Sequence, residues 1–112
     1  MYANQQLVHQ DTFDGPVELG RQHAEEGGPY ERRRGDEVWR LVIARLDEGS
    51  VSRRHARVEL LPDGKIRLKN CSSRCPIGLQ DGGSLAPGEE CLVSGPVLMT
   101  LGERLVRVQP CI

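Results

Sequence analysis

Ser52-Arg53-Arg54-His55 packs one hydroxyl, two guanidinium groups and an imidazole into four consecutive positions, followed by Ala56 and a strand-like run. Residues of these types suit an anion. Arginine presents five donors in a planar fork that matches phosphate or carboxylate oxygens, and a neighbouring serine adds a short, rotatable donor for one oxygen more. Another arginine stands earlier, in Leu19-Gly20-Arg21, where glycine lets the backbone turn tightly. Adjacent residues of an extended segment point opposite ways, so only one of Arg53 and Arg54 can face a shared ligand. The charge distribution fits a local basic patch within a chain of net charge −1. Residues 1–30 carry five carboxylates and one arginine, whereas residues 31–57 carry eight arginines against five carboxylates. An ordinary solvated loop flanked by charged strand edges accounts for that clustering equally well.

These residues must be positioned by strands. Val17-Glu18-Leu19 alternates apolar and polar and runs into Gly20-Arg21, which predicts a strand delivering Arg21 to a loop at its end. From 22 to 37 there is no periodicity, only Gly27-Gly28-Pro29 and the basic run Arg32-Arg33-Arg34-Gly35, so a long loop is expected there. Trp39-Arg40-Leu41-Val42-Ile43 reads as a central strand buried on both faces, ended by Asp47-Glu48-Gly49-Ser50. Ala56, Val58 and Leu60 share one face of the next strand and Arg57 and Glu59 the other. Its hairpin partner, 65–69, turns Ile66 and Leu68 inward and three cations outward. Short strands follow at 76–80, 91–93, 97–101 and 105–108, and Leu7-Val8 with Phe13 offers a first one. No ten-residue stretch has helical periodicity free of glycine and proline, so the pattern predicts an all-β sandwich.

Gly20-Arg21 followed by Ser52-Arg53-Arg54-His55-Ala56, inside such a pattern, resembles the forkhead-associated (FHA) domain, a module that reads phosphothreonine in partner proteins. Asn70-Cys71-Ser72-Ser73-Arg74-Cys75-Pro76-Ile77 falls where that family carries its second peptide-binding loop, and Leu101-Gly102 looks like its closing strand turn. The resemblance spans about 17–109. It implies a sandwich of two antiparallel sheets with the binding loops at one end. It further implies that Arg21, Ser52 and Arg53 hold the phosphate, that Ser73, Arg74 and Cys75 line the peptide, and that Gly20 and His55 support the site. The second loop departs from the family's Asp-Leu-x-Ser-x-Asn-Gly-Thr: Ser73 is kept, but Cys75 stands for the asparagine that clasps the peptide backbone, and Pro76 removes an amide hydrogen. The expected function is phosphothreonine-peptide binding in Ser/Thr kinase signalling, the alternative an FHA-like domain making phospho-independent protein contacts. The family also occurs inside larger signalling proteins, so the chain is open to being an excerpt of one.

The bulk composition narrows the alternatives. A chain of 112 residues, 38% hydrophobic and 28% charged, suits one domain with one core. Its near-neutral charge and single Trp, two Tyr and one Phe argue against nucleic acid as partner, and the absence of an 18-residue apolar run or a signal-like N-terminus argues against a membrane. A cytoplasmic setting is expected. Cys71, Cys75, Cys91 and Cys111 lack zinc-type spacing and are expected as free thiols, with no metal or other cofactor. Ser52 and His55 lie on one short segment with no carboxylate fixed nearby, so a binding module rather than an enzyme is expected.

Overall fold

The computed structural model describes residues 2–3, 6–7, 9–35, 37–80 and 82–110, with side chains from residue 9 onward. Every regular element among them is a strand: β1 (Tyr2–Ala3), β2 (Gln6–Leu7), β3 (Val17–Arg21), β4 (Arg32–Arg34), β5 (Trp39–Ala44), β6 (Ala56–Leu60), β7 (Lys65–Asn70), β8 (Ile77–Leu79), β9 (Ser84–Leu85), β10 (Glu90–Ser94), β11 (Val97–Leu101) and β12 (Arg104–Val108). They form two sheets, ordered β2-β1-β12-β11-β8-β9 and β10-β7-β6-β3-β5-β4. The expected sandwich is therefore present. No helix among the described residues is long and apolar enough to cross a membrane.

Alternation fixes which face of each strand is inside. In β7 the burial pattern is strictly exposed then buried, which sends Ile66, Leu68 and also Asn70 inward and Lys65, Arg67 and Lys69 outward. Ile66 and Leu68 meet Leu19, Leu41, Ile43 and Val58 from the same sheet and Ile77, Met99, Leu101 and Val106 from the other in one apolar core. Burying an aliphatic side chain is favourable by about 1.5–3 kcal/mol, so this shared face is what holds the sheets together. Leu60, on the inward side of β6, lies past the end of that core and stays 53% exposed.

Three details depart from the sequence-based expectations. The sheets are antiparallel except for one pair, β3 with β5, which runs parallel and has a register shift between Gly20 and Arg21. A bulge of this kind bends a strand and re-aims its side chains. The triple arginine does not lie in a loop: it is β4, an edge strand paired with β5. A strand forms on this basic run because Trp39 and Phe13 give two of its three cations a surface. The Arg32 guanidinium lies 4.3 Å from each of those two ring centroids, and Arg34 lies 4.9 Å from that of Trp39. Asp11 and Asp14 then pair with Arg32 and Arg34. Finally, Phe13 belongs to no strand, β1 and β2 form the first hairpin, and Val8 lies outside the described residues.

Candidate functional site

The loops that follow β3, β5 and β7 are tied to one another by main-chain bonds. The Arg21 amide donates to the Ser52 carbonyl at 2.9 Å, the Gln22 amide to Ala44 at 2.9 Å, and the Cys71 amide to His55 at 2.8 Å. Gly20 makes the first of these contacts possible. A Cβ there would stand 2.0 Å from the Arg53 carbonyl oxygen and 2.7 Å from an Arg40 nitrogen, so only glycine lets β3 pass this close to the Ser52-Arg53 turn.

Arg40 locks that junction from behind, and all five of its donor hydrogens are used. Nη1 donates to Glu18 at 3.1 Å and to the Arg53 carbonyl at 2.6 Å; Nη2 donates to the Arg21 carbonyl at 2.7 Å and to Glu26 at 3.2 Å; Nε donates to the other Glu26 oxygen at 3.1 Å. Burial would raise the Glu26 carboxyl, but the hydrogen bonds from Arg40 and from the His23 amide outweigh it and hold the group below its usual 4.5. A charged residue in the otherwise apolar run of β5 was the available signal for this role, since a buried guanidinium requires partners. Its acceptors, 13 to 22 residues away in sequence, could not be named from the pattern.

His55 is fully buried and braces the same turn. Its Nδ1 lies 3.2 Å from the Ser52 amide and its Nε2 3.0 Å from the Pro76 carbonyl. An amide nitrogen only donates and a carbonyl only accepts, so the proton sits on Nε2 and Nδ1 is bare. Burial pushes the His55 pKa below its usual 6.5, against the Pro76 hydrogen bond, which raises it. With both nitrogens occupied by main chain, the ring holds loops in place and is not positioned to take a proton from Ser52. The unfolded chain binds protons at His55 and Glu26 more readily than the folded one, so both groups withdraw stability as pH falls. Stability is expected to decline first below about pH 6.5 and again below about pH 4.5, and to be flat between about pH 7 and 8. Urea midpoints from pH 4 to 8 check this, and His55→Gln should remove the upper phase.

Behind the second loop, Asn70 is fully buried on β7. Its amide donates to the carbonyls of Cys75 at 2.8 Å and Leu85 at 2.9 Å, and its Oδ1 accepts from the Ser72 amide at 3.0 Å. The Ser72 hydroxyl, 2.8 Å from the same Oδ1 and 2.6 Å from the Cys75 oxygen, also receives the Cys75 amide at 3.1 Å. These contacts were not anticipated. Asn70 and Ser72 shape the loop from inside, and Cys75 joins the network through its main chain. Ser73 and Arg74 stand exposed on the outside of the loop, and no described contact joins their side chains to Arg21, Ser52 or Arg53.

Of the three expected phosphate ligands, Arg21 is half-buried at the end of β3, with Nη1 donating to the Leu46 carbonyl at 2.8 Å and Nε buried without a hydrogen-bond partner. Ser52 is half-buried and Arg53 exposed, and neither side chain has a polar partner among the described residues. Arg54 points elsewhere: its Nε donates to Glu18 at 3.0 Å on the outer face of the sheet. The loop carrying Leu46 is itself pinned to the other sheet. Glu48 pairs with Arg104, and Gly102, at a φ of 60°, lets Ser50 approach the β11–β12 turn so closely that a Cβ would fall 2.6 Å from its hydroxyl.

The chain matches no family model, no curated protein and no solved structure. Cys71 and Cys75 are free thiols, and the described residues hold no group of three His, Cys, Asp or Glu side chains able to take a metal ion.

Proposed function

We propose that the chain is an FHA-type module that binds a phosphothreonine-containing segment of a partner protein, without chemistry of its own. The observation that carries this reading is the junction of Arg21 with the Ser52-Arg53 turn. Their main chains are bonded to each other, Arg21 keeps a buried Nε with no hydrogen-bond partner, and the Ser52 hydroxyl and Arg53 guanidinium have no polar partner among the described residues. Phosphothreonine brings about −1.5 to −2 charges and three acceptor oxygens, enough to satisfy a hydroxyl and two guanidiniums together. Threonine phosphate is the product of Ser/Thr kinases, so the module would act downstream of one. Free thiols accord with work in the cytoplasm.

Charge-assisted hydrogen bonds contribute about 1.5–3 kcal/mol each. Arg21→Ala is therefore expected to weaken a phosphothreonine peptide about 10- to 150-fold by calorimetry, with Ser52→Ala close behind and the unphosphorylated peptide unbound. Equal affinity for phosphorylated and unphosphorylated peptides would sink the reading. That result would favour the second one, a phospho-independent contact surface, for which Cys75-Pro76 speaks, because neither a thiol nor a proline nitrogen clasps a peptide backbone well.

A further inference from the structure

The outer face of the β10-β7-β6-β3-β5-β4 sheet carries a row of registered partners that runs Arg40, Glu18, Arg57, Lys69, Glu90. Arg57 and Lys69 stand directly opposite each other, an arrangement that costs a sheet stability. The anions nearby relieve it only in part. One Glu18 oxygen is committed to Arg40 and the other to Arg54, Glu59 is paired with Arg67, and Glu90 is exposed beyond Lys69 on the edge strand. Neither Arg57 nor Lys69 has an ion-pair partner among the described residues. Lys65, exposed and opposite Ser94, and Leu92, 54% exposed beside Arg67, continue the surface along the strands.

We infer that this face binds an acidic, extended segment of the partner protein, continuous with the phosphate loops. The inference rests on the phosphothreonine reading. Arg54, next to Arg53 in the chain and bonded to Glu18 on the sheet, joins the two regions. A strand of five residues covers about 17 Å, so five or six acidic residues would follow the stripe from the loops to Lys65. Nucleic acid is disfavoured as the occupant because Phe13, Tyr30 and Trp39 are gathered around Arg32, Arg34 and His9 and offer this face no ring on which a base could stack.

The test compares three peptides on the full chain: a phosphothreonine peptide with a neutral extension, the same peptide with six acidic residues, and the acidic peptide without phosphate. At 50 mM salt the acidic extension is expected to tighten binding about fivefold or more, as two to three exposed ion pairs would. That gain should vanish in Arg57→Gln/Lys69→Gln and at 0.5 M salt, while the neutral phosphopeptide binds wild type and variant alike. The variant relieves a like-charge pair and should melt no lower than wild type; Lys69→Gln alone serves if it does. Equal affinity for the two phosphopeptides, or a gain that survives in the variant, overturns the inference. If the neutral phosphopeptide fails to bind, the phosphothreonine reading falls, and the third peptide then decides: binding lost in the variant upholds the acidic docking face, and no binding overturns it. Duplex DNA competing for this face more strongly than the acidic peptide would also overturn it.

Discussion

Arg40→Met is expected to lower unfolding stability by about 3–5 kcal/mol, the range seen when one partner of a buried ion pair is removed, and to abolish phosphopeptide binding along with it. The Arg40, Glu18 and Glu26 side chains are 12%, 12% and 7% exposed, so the carboxylates left behind could not recover full hydration. The carbonyls of Arg21 and Arg53 would lose their donors at the same time. Each kcal/mol moves the midpoint of a domain this size by roughly 4 °C, so a fall of more than about 12 °C in the melting temperature is expected by calorimetry. Arg40→Lys should recover little, because a point-like ammonium with three donors cannot span acceptors on three segments. A melting temperature within a few degrees of wild type would show that Arg40 does not hold the loops together.

Gly20→Ala tests the same junction from the other side. The added methyl would sit 2.0 Å from the Arg53 carbonyl oxygen, a main-chain atom that cannot swing aside as a side chain could. Either β3 or the Ser52-Arg53 turn must move. Overpacking usually costs about 1–3 kcal/mol, and a main-chain clash belongs at the upper end. The functional loss should be larger than the stability loss suggests, since the displacement falls between the two arginines meant to share one phosphate. On the phosphothreonine reading that displacement separates Arg21 from Arg53, and phosphopeptide affinity is expected to drop at least tenfold even at a temperature where the variant is folded. Titration at 10 °C beside a urea melt separates the two effects. Unchanged affinity in a folded variant would mean the phosphate does not sit at this junction.

The hairpin of β6 and β7 was readable because its alternation is clean and its turn chemistry explicit. β3 was readable from its alternation too, β5 from its aromatic and β-branched apolar run, and β11 and β12 as short strands separated by Gly102-Glu103. Interactions that join distant segments were not readable. The arginines of β4 look like a loop because nothing in their own residues favours a strand; Trp39, Phe13 and the ladder of β5 supply the reason. Arg40 was visible as an odd charge in an apolar run, but its five acceptors lie on pieces of chain that meet only after folding. For the site, Gly20, Arg21, Ser52 and His55 could be picked out by type and spacing, and the structure places all four at one junction. Arg53 was preferred to Arg54 on the family resemblance alone, and the structure puts Arg54 on Glu18. The support from Asn70 and Ser72 was missed because a buried amide leaves no periodic trace.

Pinning by Gly20, Arg40, His55 and Asn70 settles the receiving end of the sandwich before any guest arrives. On the phosphothreonine reading, the entropy of association then falls almost wholly on the incoming peptide, which must give up its own freedom while the protein gives up little. Selectivity follows from that asymmetry. A rigid socket cannot remould itself around an ill-fitting neighbour, so discrimination among partners would rest on how cheaply each can adopt the required shape.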